Sequence, residues 1–293
     1  MVVERIGGLV TVQDLGRPGY AHLGVTRSGA ADRTAFRRAN RLVGNHQGAA
    51  ALEVTLGGLC VVALGELTLA VTGATCPVTV AGRPAATEAL LEVPDGAEVH
   101  LGPALAGVRA YLAVRGGVQA EPVLGSRATD TLSGIGPRPV QVGDLVPVGG
   151  PDSADRARWP RIAQVPVAPL PAPHEVVELD AVPGPRADWL DRPGRDTLWQ
   201  STWTVSPRSN RVGVRCEGAV VTRAVAGELP SEGLVRGAIQ VPPSGEPVVF
   251  LADHPVTGGY PVVAVLHDDD VDLAGQLRPG QRFRLHHRPQ DVS

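Results

Sequence analysis

The chain has 293 residues, of which 43% are hydrophobic and only 3% aromatic, and its formal net charge is −3. That length allows two domains of ordinary size around cores of Val, Leu, Ala and Ile. The near-neutral charge, with no basic stripe, argues against nucleic acid as a partner.

All 27 basic residues are arginines. A lysine Schiff base, a biotinyl-lysine and the Gly-Lys-Ser/Thr phosphate loop are therefore excluded on this chain. Cys60, Cys76 and Cys216 are odd in number and far apart. They read as free thiols in a reducing compartment, not as a disulfide framework or a zinc site. No basic leader precedes a long apolar segment and no apolar run reaches 18 residues, so the expectation is a soluble, cytoplasmic protein with no membrane contact.

The 36 glycines and 27 prolines punctuate short apolar runs, which is the pattern of a mainly β chain. Strands are expected at 8–12, 59–64, 67–72, 78–81, 98–101 and 108–114. They resume at 175–179, 202–205, 219–222, 238–241, 248–252, 262–266 and 282–285. One clear helix is expected at about 32–43, where Ala35, Phe36, Ala39, Leu42 and Val43 fall on one face. Asp32 suits its N-cap and Gly44 the position beyond its end. A short second helix is expected from Asp270 to about Leu277, with Asp268, Asp269 and Asp270 as a solvated acidic start.

Between these sets lies GGPDSADRARWPRIAQVPVAPLPAP, residues 149–173, which has no periodicity and six prolines. It reads as a linker. The expected organisation is a β-barrel domain with one helix over 1–150, a Pro-rich linker over 151–173 and a second β-barrel domain over 174–293. Three segments, VPDGAEVHL, VQVGDLVPV and LRPGQRFRL, place a turn glycine before alternating apolar residues, and two of them close the halves. This hints that the halves are related.

Three polar clusters stand out. QDLGRPGYAHLGVTRSGAADR, residues 13–33, carries Asp14, Arg17, Arg27, Ser28, Asp32 and Arg33 into the start of the helix. Free N–H groups there suit an anion near 28–31, although Asp14 can also pair with Arg17 and Asp32 can simply cap. SPRSNRVGVRCEG, residues 206–218, places Ser209, Asn210 and Arg211 before a strand, where Arg211 and Arg215 can clamp a carboxylate or phosphate or stand exposed. SEGLVRGAIQVPPSGEPVVFLADHPVTGGYP, residues 231–261, is a hairpin followed by a glycine-pair loop with Glu232, Gln240, Asp253, His254, Thr257, Gly258, Gly259 and Tyr260. Polar groups at a glycine loop on a rigid sheet are how binding sites are usually built, although composition alone also fits an ordinary hairpin with a solvated tip. The G-x-S-x-G elbow, the G-x-G-x-x-G fingerprint and H-E-x-x-H are all absent, and no metal-ligand set is expected.

These blocks, together with ANRLVGN, AALEVTLGG, YLAVRGG and LGSRATD, resemble in the same order the KipA-like carboxyltransferase-domain family. That family is also called allophanate hydrolase subunit 2-like, or the 5-oxoprolinase C subunit family. The resemblance runs from about Gly8 to Leu285 and implies two cyclophilin-like β-barrel domains with a few short helices. It further implies a heteromer with two other proteins, a KipI-like B subunit together with a LamB/YcsF-like A subunit, which cleaves 5-oxoproline to glutamate with ATP and Mg²⁺. No biotin can be attached to this lysine-free chain.

Carried over by motif, Asp253, Glu232 and Arg211 are the implied catalytic residues, with Asp253 or Glu232 as general base. The implied substrate- or nucleotide-binding residues are Asp14, Arg17, Ser28, Asp32, Ser209, Asn210, Gln240, Thr257, Gly258, Gly259 and Tyr260. Arg17 and Arg211 would neutralise phosphate or carboxylate charge. Val212, Val214 and Cys216 depart from the family's usual methionine, aromatic or leucine, and leucine, which predicts altered packing. Two other readings stay open: carboxyl transfer from carboxybiotin on another protein to urea or a small amide, and a non-catalytic regulator that binds a KipI-like kinase inhibitor.

Overall fold

A computed structural model describes residues 1–150, 167, 169–227 and 229–288. Most of the expected linker lies outside the described residues. The chain divides into two units. The first holds Met1–Arg17, Ser28–Asp130 and Gly134–Ala172; the second holds Pro18–Arg27, Thr131–Ser133 and Pro173 onward.

In the first unit the described strands are β1 (Val2–Arg5), β2 (Val10–Gln13), β3 (Ala51–Thr55), β4 (Gly57–Val62), β5 (Leu67–Thr75), β6 (Val78–Val80), β7 (Arg83–Ala85), β8 (Leu90–Val93), β9 (Glu98–Pro103) and β10 (Ala106–Val114). They form two five-stranded sheets, ordered β1-β4-β9-β6-β7 and β2-β3-β10-β5-β8. A closed barrel was expected here, but both sheets stay open. One edge of the first sheet shows why it stays open: β7 is three residues long and carries Pro84, which has no N–H to extend the ladder. The core joins the two sheets, with Val3, Leu59, Val61, Val99 and Leu101 from one and Val10, Leu52, Val54, Leu69, Val71, Leu112 and Val114 from the other.

The second sheet is covered on its other face by helix α1 (Arg33–Val43). Phe36, Ala39, Leu42 and Val43 pack there with Ala51, Ala70, Tyr111 and Ala113. Three alanines on the sheet let the helix approach closely, and covering both faces accounts for the near-continuous burial of β10. The helix begins and ends as expected. Asp32 accepts from Ala35 N–H at 2.8 Å, and Gly44 adopts the left-handed conformation at φ 77°.

The second unit contains a closed barrel. In chain order its strands are β11 (Val176–Pro183), β12 (Trp203–Val205), β13 (Gly213–Glu217), β15 (Ala238–Gln240), β16 (Val248–Phe250), β18 (Val262–Leu266) and β19 (Arg282–His287). They close in the order β11-β18-β15-β16-β13-β12-β19. The closing contact is the parallel pairing of β11 with β19. Trp203, Leu179, Phe283 and Ile239 are fully buried inside, and each such side chain stabilises the fold by roughly 1.5–3 kcal/mol relative to exposure. A separate two-stranded ribbon, β14 (Glu232–Gly233) with β17 (Thr257–Gly258), completes the described strands.

Two further expectations need correction. Residues 219–222 are not a strand: Gly218 turns at φ 144°, and Val221 N–H goes singly to the Gly245 carbonyl at 2.9 Å. The segment VQVGDLVPV makes only isolated bridges, Val2 with Leu145 and Val118 with Val148, so it is no counterpart of β19. Helix α2 (Arg192–Gln200) was not foreseen, because Pro193-Gly194 reads as a turn. Proline is tolerated in a first helical turn, Asp191 caps Gly194 N–H at 2.6 Å, and a Cβ at Gly194 would lie 2.1 Å from the Thr222 carbonyl. Helix α3 (Asp268–Ala274) has all three aspartates in its first turn, where the N-terminal dipole favours them.

Candidate functional site

Within the second unit, β13 and β16 run antiparallel with Gly213 opposite Phe250. The pairing continues past both strand ends, where Asp253 N–H donates to the Arg211 carbonyl at 3.0 Å. The two side chains meet there as a fork. Arg211 Nε donates to Asp253 Oδ2 at 2.9 Å and Arg211 Nη2 to Oδ1 at 3.0 Å. Asp253 is completely buried and Arg211 is 2% exposed. Oδ2 also accepts from Thr131 N–H at 2.9 Å and Thr131 Oγ1–H at 2.7 Å. Such bidentate, charge-assisted contacts are strong and directional. A general base needs a lone pair open to substrate. Oδ2 already accepts three hydrogen bonds and Oδ1 faces the guanidinium, so the geometry fits a fixed counter-ion holding the 131–133 segment better than a base.

The glycine-pair loop lies next to this pair in sequence and forms the ribbon. Glu232 stands opposite Gly258, and Gly233 opposite Thr257; Leu229 N–H and Leu234 N–H extend the pairing to Gly259 and Val256. Buried Gln240 donates from Nε2 to the Tyr260 carbonyl at 2.8 Å. Neither glycine of the pair has a positive φ. Gly258 is required for close approach instead: a Cβ would lie 2.9 Å from Gln240 Nε2 and 3.0 Å from Leu234. Thr257 and Tyr260 are exposed.

Glu232 is the one carboxylate on the ribbon strands, and it is bound by Arg186 through both Nε and Nη2. That hydrogen bonding holds the Glu232 carboxyl below its ordinary value. The contact is therefore in place above the ordinary carboxylate range and is lost as pH falls below it. A lowered pKa does not suit a base working near neutrality. His254 Nδ1 lies 2.7 Å from the Pro255 carbonyl.

Ser209 and Asn210 shape the turn that delivers Arg211. Asn210 Oδ1 accepts from Val212 N–H at 2.8 Å, and Ser209 Oγ accepts from Arg215 N–H at 3.0 Å. Arg215 itself is exposed. The clamp by Arg211 and Arg215 expected on an external anion is thus replaced, on the Arg211 side, by Asp253.

In the first unit, the residues of the first block converge on one loop, residues 123–130, which contains the LGSRATD motif. Asp14 Oδ1 accepts from Ser126 Oγ–H at 2.7 Å and Oδ2 from Arg127 N–H at 2.6 Å. Arg17, 1% exposed, donates to the Val123 and Ala128 carbonyls. Ser28 Oγ–H donates to the Thr129 carbonyl at 3.3 Å. Ser28 has φ 54°, and a Cβ on neighbouring Gly29 would lie 2.7 Å from Gly16 N, so the 14–16 and 28–30 turns touch through their backbones.

The anion expected at the start of α1 is the chain's own. Glu53 Oε2 accepts from Ala31 N–H at 3.0 Å and from Tyr111 Oη–H at 2.9 Å, while Tyr111 Oη accepts from Asp32 N–H at 2.7 Å. Arg109 Nε lies 3.5 Å from Glu53 Oε1. Burial, then the Glu53 and Asp32 charges, push the Tyr111 hydroxyl well above its ordinary pKa, so it stays a neutral donor. Sequence reading missed Glu53, Tyr111, Thr131, Ser126 and Arg186. The detectable signal was Glu53 and Arg109 lying inside otherwise apolar runs, ALEVT and GVRAYLAV, because a charge in a strand covered on both faces needs a partner.

Among the described residues no cluster of His, Cys, Asp and Glu could hold a metal ion, and no helix is long and apolar enough to cross a membrane.

Comparison with known proteins identifies the family. The family model "Carboxyltransferase domain, subdomain A and B" matches residues 23–287. The chain is 37% identical to the C subunit of 5-oxoprolinase from Escherichia coli, over 95% of this chain and 88% of that protein. It is 31% identical to the 5-oxoprolinase C subunit from Haemophilus influenzae, over 94% of this chain and 87% of that one. The crystal structure of the Kluyveromyces lactis urea amidolyase superposes with a TM-score of 0.89 at 29% identity. That match covers 98% of this chain but only 18% of the much longer yeast chain. With a nearly full-length match to the bacterial proteins and the same fold in the yeast one, the chain belongs to the carboxyltransferase domain family, subdomains A and B, and is a homologue of the 5-oxoprolinase C subunit.

Proposed function

We propose that this chain is the C subunit of a cytoplasmic, ATP-dependent 5-oxoprolinase that opens the lactam of 5-oxoproline to glutamate. It would act with two partner proteins, one KipI-like and one LamB/YcsF-like, its second unit being a barrel of the cyclophilin-like type. The observation that carries this reading is the 37% identity to the E. coli 5-oxoprolinase C subunit over 95% of the chain.

Arg17 and Arg211 do not fit a phosphate-binding role. Both are buried; Arg211 is forked onto Asp253, and Arg17 Nε and Nη2 already donate to the Val123 and Ala128 carbonyls. No step is therefore routed through a nucleotide on these residues, and ATP with its Mg²⁺ is assigned to the assembled complex. The part proposed for this chain is the rigid presentation of Glu232, Thr257 and Tyr260 on the ribbon, fixed from beneath by Gln240 and beside it by the Arg211–Asp253–Thr131 junction. Holding a substrate in one orientation is itself a large share of catalysis.

Co-expression with the KipI-like and LamB/YcsF-like proteins of the same genome, followed by glutamate release from 5-oxoproline and ATP, tests the reading. Turnover is expected only with all three chains; a well-formed complex without turnover would overturn it. Gly258→Ala checks the site. Its Cβ meets only side-chain ends, so folding should survive while Gln240 moves off the Tyr260 carbonyl. Turnover is expected to fall about tenfold or more; wild-type turnover would remove the ribbon from the site.

The carboxyltransferase-domain match and the urea amidolyase superposition favour a second reading, carboxyl transfer from carboxybiotin carried by another protein to urea or a small amide. It predicts activity that depends on a biotinylated carrier and is abolished by avidin.

A further inference from the structure

The first unit contains a cavity of about 400 Å³ that none of the roles above uses. Its volume lies within the roughly 300–1,000 Å³ of small-molecule sites, and its lining sets Arg115, Thr68, Glu92 and Glu66 beside apolar residues such as Met1 and Leu67. Three of these share one register. Val114 of β10 stands opposite Leu69 of β5, and the pairing runs one residue further, where Arg115 N–H donates to the Thr68 carbonyl at 2.8 Å. Thr68 in turn stands opposite Glu92 of β8. Residues directly opposite on neighbouring strands point to the same face, so Arg115, Thr68 and Glu92 form a row across three strands, with a cation at one end and a carboxylate at the other.

Both charged groups are held without satisfying each other. Arg115 Nε donates to the carbonyl of Val43, the last residue of α1, at 3.0 Å, and its two terminal nitrogens bond no other described residue. Glu92 Oε2 accepts from Thr68 Oγ1–H at 2.8 Å. Among the described residues no ion pair links Arg115 to Glu92 or Glu66. The cavity wall is also built. Gly116 and Gly149 are packed so that a Cβ at Gly116 would lie 1.8 Å from the Gly149 carbonyl, at a φ of 90° that already favours glycine.

We propose that this cavity is a binding site for a small zwitterion, a free α-amino acid, whose carboxylate is taken by Arg115 and whose ammonium is taken by Glu92. Arg115 and Glu92 stand two strands apart in the row, with backbones about 9–10 Å from each other, and both line the same cavity. A ligand bearing only one charge leaves either the guanidinium or the carboxylate facing the cavity unmatched.

The test is calorimetric titration of the full chain, without partners, using glycine and L-alanine as probes and acetate and methylammonium as single-charge controls. Glycine and alanine are expected to bind saturably, with each control at least about tenfold weaker. Glu92→Gln and Arg115→Gln should each weaken amino-acid binding about tenfold or more. Arg115→Gln also removes a contact to α1, so Glu92→Gln, at an exposed edge position that keeps an acceptor for Thr68, decides the matter if the arginine variant does not fold. The proposal is overturned if neither amino acid saturates the chain, if methylammonium binds as well as glycine, or if Glu92→Gln binds like the parent. None of these outcomes depends on 5-oxoprolinase turnover, so failure here leaves the proposed function standing.

Discussion

Asp253→Ala is expected to lower the midpoint of thermal unfolding by about 10 °C. The substitution leaves the Arg211 guanidinium buried with its fork unmatched and strips Thr131 of its acceptor. Breaking a buried ion pair by removing one partner costs about 3–5 kcal/mol, and for a unit of this size each kcal/mol shifts the midpoint by about 2–4 °C. Removing both charges is a different experiment. Arg211→Met combined with Asp253→Leu replaces the pair by apolar volume and should recover most of the loss. A melting curve for Asp253→Ala within about 2 °C of the parent would show that the junction carries little of the fold. If the double variant is stable yet inactive in the three-chain complex, the pair serves positioning as well as stability.

The second large effect is expected at Glu53. Glu53→Ala removes the acceptor for Ala31 N–H and Tyr111 Oη–H and leaves Arg109, 5% exposed, without its carboxylate. The same reasoning gives a loss of about 3–5 kcal/mol. Glu53→Gln keeps a carbonyl acceptor but discards the charge, so it should fall between parent and alanine variant. Chemical denaturation of the three proteins checks the order, and a glutamine variant as unstable as the alanine one would show that charge, not hydrogen bonding, dominates.

Much of the local architecture was written in the chain. Asp32 and Gly44 bracket α1 because a carboxylate cap and a left-handed glycine are local devices, readable from a few neighbouring residues. The hairpin of β15 and β16 was equally legible, since Pro-Pro-Ser-Gly separates two apolar runs and closes with Gly245 N–H on the Pro242 carbonyl. Barrel closure was not readable in the first half. Whether a sheet closes is decided at its edges, and a proline in a three-residue strand gives little signal amid 27 prolines.

The site shows the same division. The motifs that carried the family resemblance marked residues that the structure places in shared contacts: Asp14, Arg17 and Ser28 on the 123–130 loop, and Arg211 on Asp253. Their partners were hidden because they are remote in sequence or ordinary in type. Thr131 lies far along the chain from Asp253, and a threonine in RATDTLSG carries no visible charge or periodicity. Sequence reading also assigned Arg211 an external anion, because an arginine's charge is visible in sequence and its counter-ion is not.

The parallel contact between β11 and β19 bears on how this protein is made. A ribosome releases Val176–Pro183 early in the synthesis of the second unit and Arg282–His287 last among its strands, yet these two must meet for the barrel to close. While the chain emerges, β11 has only β18 to come and β12 has only β13, so nascent molecules expose unpaired strand edges of the kind that promote edge-to-edge association. Pairings between such distant segments also form slowly. A molecule clipped before Arg282 is left with an open-edged sheet instead of a smaller barrel, and loss of that one strand is expected to remove the whole unit as a stable object.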